Sequence, residues 1–278
     1  MLVLCVTAAH ARAETFTVSS PLDDGEEGTL RWALEMSESE EGQDLIAFDL
    51  PADELTITLS DPLPTLSEGV EIRGTTQFED GPLVTVSFPG SNGFRANLPV
   101  GDDLVINGLV LQAWGGVGIE ALLSGGDVSL SDLELRSAAG CSFAANSDEA
   151  IVISGANEAS VNRVRAVDVG MGIRVEESAS VEISANSFEG SGCGEQGRVM
   201  DFDPVFHNES GELEGSLFFI SQNDFDLAVG DVHFRNLQGP ATLTSDPDLP
   251  SFSRHAVFYP GVSVTIEHAN LVSVSALD

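Results

Sequence analysis

The sequence predicts an all-β fold, a parallel β-helix solenoid begun by a short capping helix, and two repeating series of residues predict it. The first is a phrase: Leu104-Val-Ile106-Asn-Gly-Leu109-Val-Leu111 returns as Val128-Ser-Leu130-Ser-Asp-Leu133-Glu-Leu135, with its outline at Val181-Glu-Ile183 and Val264-Thr-Ile266. Each copy alternates apolar and polar residues, the pattern of a strand with one buried face, and then meets a small or polar corner. The second series, Gly93-Phe94, Gly118-Ile119, Ser142-Phe143 and Gly172-Ile173, runs in step with the first, so each repeat holds at least two short strands. Unequal intervals between copies suit a parallel stack whose corners accept insertions. A two-sheet antiparallel sandwich is the competing architecture.

Taken in order, Met1-Leu-Val-Leu-Cys-Val-Thr-Ala-Ala9 followed by Ala11-Arg-Ala13 reads as the remnant of a signal peptide over 1–13, with a buried first strand as the other reading. Residues 14–74 form the cap and the first repeats. Within them Thr29 is placed to cap a short helix whose Leu30, Ala33 and Leu34 make an apolar stripe. Residues 75–278 carry the remaining repeats, interrupted by a loop excursion at about 190–215 that is rich in Gly, Ser and Glu. Strand-like alternation continues to Asp278, which predicts either continuation of the chain or self-association at that end.

The passage Phe16-Thr-Val-Ser-Ser20, Thr29-Leu-Arg-Trp-Ala-Leu34, Leu55-Thr-Ile-Thr-Leu59, Pro62-Leu-Pro-Thr-Leu66 and Val70-Glu-Ile-Arg-Gly74 resembles the opening of cell-surface β-helix proteins that start with a CSLREA-like cap. Gly28-Thr29 stands where those proteins have Cys-Ser or Gly-Ser, and Trp32 fills their variable position. The resemblance implies a right-handed parallel β-helix solenoid, a secreted or cell-surface location and a role in surface attachment.

The chain has no lysine, and its 11 basic and 45 acidic side chains leave a formal net charge of -34. Such a surface repels nucleic-acid phosphate and anionic membrane, which excludes nucleic acid as a partner, and it predicts a salt-adapted protein. No stretch after the leader approaches the length of a membrane span. Cys141 and Cys193 allow one disulfide or two free thiols, and Asn208-Glu-Ser210 fits a glycosylation acceptor.

Chemistry is less legible. Asp201 and Asp203, and again Asp224 and Asp226, alternate so that each pair shares a strand face; they are the candidate metal ligands, with calcium as the one ion they suggest and no cofactor required. His233 alternates with Val232 and Phe234 and should project outward, as a general base or as a solvated histidine. No catalytic set is assigned. Trp114, followed by Gly115-Gly116, is the candidate glycan-binding residue. The expected function is an exported, non-catalytic module for cell-surface attachment or recognition of extracellular polysaccharide. The alternative is a polysaccharide lyase or glycoside hydrolase, which requires acids and an arginine such as Arg163, Arg165 or Arg174 to converge in one groove.

Overall fold

The computed structural model describes residues 13–39, 42–76, 83–138 and 148–189, and beyond them the strands between 198 and 276. The chain opens with β1 (Thr15–Val18), helix α1 (Leu30–Ser37), β2 (Asp44–Phe48), β3 (Thr56–Thr58), β4 (Val70–Arg73) and β5 (Val84–Ser87). There follow β6 (Phe94–Leu98), β7 (Leu104–Asn107), β8 (Leu109–Trp114), β9 (Val117–Leu123), β10 (Asp127–Ser137) and β11 (Glu149–Ser154). Next come β12 (Glu158–Val167), β13 (Met171–Glu176), β14 (Ser180–Ser184), β15 (Ser187–Glu189) and β16 (Arg198–Asp203). Last are β17 (Phe206–His207), β18 (Leu213–Glu214), β19 (Leu217–Asn223), β20 (Asp231–Phe234), β21 (Pro240–Ser245), β22 (His255–Phe258), β23 (Ser263–Glu267) and β24 (Ser273–Ala276).

Hydrogen bonding gathers these strands into two parallel sheets. The larger, of 14 strands, follows the path β1-β2-β4-β7-β10-β12-β14-β19-β21-β23, with β3, β5, β8 and β15 alongside. The smaller, of 8 strands, follows β6-β9-β11-β13-β16-β20-β22-β24. Only β17 and β18 pair antiparallel among the described strands. Residues 198–203, inside the expected loop excursion, are β16 of the smaller sheet.

Alternation of side chains explains the register. Phe16, Ile46, Ile72, Ile106, Leu130, Val161 and Ile183 occupy one cross-strand column of the larger sheet, and all are buried. Slipping any strand by one residue would turn its apolar set outward. Each such aliphatic burial contributes about 1.5–3 kcal/mol. In the smaller sheet Phe94, Ile119, Ile151, Ile173 and Met200 make the matching column. One continuous core runs from Phe16 to Met200.

Corners between strands require unusual backbone. Gly108, Asp132, Arg163 and Ala185 all have positive φ, at 68°, 55°, 52° and 55°. They follow Asn107, Ser131, Asn162 and Ser184, which pair in register, so one left-handed corner is repeated layer upon layer. At another corner a side chain on Gly93 would put its Cβ 1.9 Å from the Gly118 carbonyl oxygen, so the close approach of layers demands glycine there.

Helix α1 forms where Thr29 caps it, the hydroxyl accepting a hydrogen bond from the Trp32 N–H at 3.3 Å. Leu30, Ala33 and Leu34 turn inward and cover the first layer. Arg31 then ties the helix to the following chain: it donates to Asp23, to the Asp61 carbonyl and to the Pro62 carbonyl.

The fold class is corrected accordingly. The expectation was an all-β, right-handed parallel β-helix solenoid; what the structure supports is a mostly parallel arrangement of two large sheets with one α-helix among the described residues. Parallel pairing within both large sheets is the pattern of α/β architectures, although here the crossovers between neighbouring strands pass through turns and the other sheet. Period-two alternation reports that a strand is half-buried and leaves open which strand it pairs with, which is why the sequence did not decide the class.

Candidate functional site

The outer face of the smaller sheet brings charged groups together at Arg174. Residues that alternate with the buried column Ile119, Ile151 and Ile173 point away from the core, and Arg174 lies between Ile173 and Val175, both buried. Its Nη2 lies 2.6 Å from Glu149 Oε2 and its Nη1 3.3 Å from Glu176 Oε1. Burial lowers the Arg174 pKa, but the charges and hydrogen bonds of Glu149 and Glu176 outweigh it, and the net shift is upward. The guanidinium therefore stays charged. Its Nε is buried without a hydrogen-bond partner among the described residues, so the group has donor capacity left over.

Neighbouring strands supply the rest of the row. Two strands before β13, Glu120 accepts from Arg95 Nε at 2.6 Å. Asp148 fixes the entry to β11: its Oδ1 accepts from the Gly116 N–H at 2.9 Å and its carbonyl from the Met171 N–H at 3.0 Å. On the other side, β16 sets Asp201 opposite Arg174 and Asp203 opposite Glu176. One strand further, β20 sets His233 opposite Asp201. In register, then, the row reads Arg174, Asp201, His233, a cation, a carboxylate and an imidazole on consecutive strands about 4.8 Å apart.

The remaining candidates fare differently. Trp114 is 0% exposed and packs against Gly118, where an added Cβ would sit 3.0 Å from its Cε2. A fully buried indole cannot stack on a sugar, so Trp114 as a glycan-binding residue is corrected to a core residue. Its spacing next to Gly115-Gly116 reflects a corner, since Ala113 before it has φ of 63°. Arg163 pairs with Asp132, and Arg165 with Glu134 and Glu189, on a different face from Arg174. No group of three metal-ligating side chains occurs among the described residues. Asp224, Asp226, Cys141, Cys193, Asn208 and residues 1–12 of the leader over 1–13 lie outside the described residues.

Sequence reasoning missed Glu149 and Glu120 as partners in this row. For Glu120 the signal was present in the second repeating series, because aligning Gly118-Ile119 with Gly172-Ile173 sets Glu120 and Arg174 on one face; for Glu149 it was not, since that residue pairs in register with Met171. No helix among the described residues is long and apolar enough to cross a membrane.

No known protein-family model matches the chain. A curated relative does: 3-dehydroshikimate dehydratase of Acinetobacter baylyi is 30% identical over 131 residues, a match that covers 42% of this chain and 27% of the relative. The chain thus spans about a quarter of the length of the curated relative it matches. This comparison overturns the expected functions. The relative is an enzyme, which runs against a non-catalytic module for attachment or glycan recognition, and its name denotes dehydration, which runs against a polysaccharide lyase or glycoside hydrolase.

Proposed function

We propose that this chain belongs to a dehydratase that eliminates water from a small hydroxylated keto acid of the 3-dehydroshikimate type. The observation that carries the reading is the similarity to the Acinetobacter baylyi enzyme. The row Arg174–Asp201–His233 supports it with suitable chemistry.

Elimination of water next to a carbonyl needs a base for the carbon-bound proton, a cation to hold the substrate's carboxylate and a proton for the departing hydroxide. Arg174 serves as the carboxylate clamp. Its contact with Glu176 is the longer of its two, at 3.3 Å, and is the one a substrate carboxylate displaces while Glu149 keeps the guanidinium aimed. His233, opposite Asp201 in register on the neighbouring strand, is the base. His233 takes the carbon-bound proton, the C–H electron pair forms the new C=C bond, the C–O bond breaks, and the hydroxide leaves as water with that proton returned by His233. Export through the leader over 1–13 is part of the same proposal.

Incubation of the full chain with 3-dehydroshikimate, followed by mass spectrometry, should give a product lighter by one water, at a rate above the protein-free control. Unchanged substrate after prolonged incubation at pH 7 would overturn the reading.

A further inference from the structure

The first strand of the larger sheet leaves one edge open. Leu45 N–H donates to the Glu14 carbonyl and Asp49 N–H to the Val18 carbonyl, each at 2.8 Å, so the even-numbered residues of β1 turn their main-chain groups toward β2. The odd-numbered Thr15 and Thr17 therefore turn theirs to the opposite edge, where β1 has no partner strand among the described residues. Both are exposed, whereas Phe16 and Val18 are buried.

That edge does not face flat solvent. An open groove of about 450 Å³ runs beside it, lined by Thr17, Ser19, Glu27, Gly28 and Trp32. The Ser19 and Ser20 N–H groups donate to the Gly28 carbonyl at 2.8 and 2.9 Å, which closes one end of the edge and holds the loop that carries Glu27. Trp32 is steadied by an edge-on contact with Phe16, ring centres 6.0 Å apart. Unpaired main-chain groups, an exposed carboxylate and a fixed indole thus meet in one place, on a chain of net charge -34.

We infer that this groove binds an extended cationic peptide, which adds a strand to the β1 edge and sets an arginine or lysine side chain between Glu27 and Trp32. The main-chain ladder supplies the binding, as in other cases of strand addition, and the carboxylate with the indole face selects the positive side chain. The net negative charge of the protein draws in the same class of ligand. A second copy of this chain is a poorer occupant, because two such acidic surfaces repel.

The test uses fluorescence. Trp114 is fully buried, so a ligand-dependent change reports Trp32. The probes are the blocked peptide Thr-Val-Arg-Val-Thr and its counterpart with Glu at the centre. The arginine peptide should give a saturable change, the glutamate peptide should bind about tenfold or more weakly, and Glu27→Gln should erase most of that preference. Thr17→Pro, which removes the edge N–H, should abolish binding of both, and Glu27→Gln decides the matter if the proline variant does not fold. Equal binding of the two peptides, identical behaviour of Glu27→Gln and the parent, no saturable change, or dimerisation in sedimentation that Thr17→Pro abolishes would overturn the inference.

Discussion

Asp132 and Arg163 occupy the same corner in neighbouring layers, both with left-handed backbone, and two hydrogen bonds of 2.6 Å join them. Glycine stands at this corner one layer earlier, as Gly108, so the two charged residues take a conformation that costs an L-residue about 1–2 kcal/mol. Their ion pair is half exposed and returns at most about 1 kcal/mol. Arg163→Gly should accordingly stay within roughly 0.5 kcal/mol of the parent, and Arg163→Val should lose about 1–2 kcal/mol, because a β-branched side chain suffers most at positive φ. Urea denaturation of the two variants checks the order.

Arg31 holds the N-terminal helix through Asp23, whose side chain is 4% exposed. Burial alone would raise the Asp23 pKa, but the Arg31 hydrogen bond and the Ser60 N–H and hydroxyl outweigh it and the net shift is downward. A carboxylate with a depressed folded pKa stabilises above its unfolded pKa, near 3.9, and the contribution is lost as pH falls through the folded value. Arg31→Gln leaves Asp23 buried without its cation and should cost roughly 2–4 kcal/mol at pH 7, an effect that fades below pH 4. Melting curves from pH 7 to pH 3 test this.

Asp44 behaves in the opposite sense. It is completely buried, its Oδ1 accepts from the Glu14 N–H at 2.7 Å, and its Oδ2 has no hydrogen-bond partner among the described residues. Burial pushes its pKa up, and the Glu14 N–H offsets only part of that. With the folded pKa raised, its stabilising contribution is present below the unfolded pKa and lost as pH rises through the folded value. Asp44→Asn keeps the acceptor and removes the charge, so it should raise the melting temperature at pH 7 and leave it unchanged or lower at pH 4.

Several of these features were open to sequence reading and others were closed to it for physical reasons. The four repeated phrases at Leu104, Val128, Val181 and Val264 do stand on strands of one sheet, because alternation reports burial directly. Helix α1 was legible from Thr29 and the Leu30, Ala33, Leu34 stripe. The fold class was not, since pairing is a long-range property. Nor was the site: Glu149 and Arg174 are 25 residues apart and meet only through strand register, which composition does not reveal. Trp114 read as a surface aromatic because glycines follow it, yet the corner turns it into the core.

Self-repulsion among 45 acidic side chains should make stability depend on salt. Screening weakens like-charge contacts on the surface more than it weakens the buried Asp23–Arg31 pair. The melting temperature should therefore climb steadily from low salt to molar NaCl, and a steady fall over that range would contradict the charge argument.

The proposed elimination of water by the row on the smaller sheet stands or falls on the kcat of His233→Asn with 3-dehydroshikimate. Removal of the base should lower kcat by about 100-fold or more while the melting temperature stays at the parent value. A variant that retains kcat within about twofold of the parent, where a general base predicts orders of magnitude, would show that His233 is not the base.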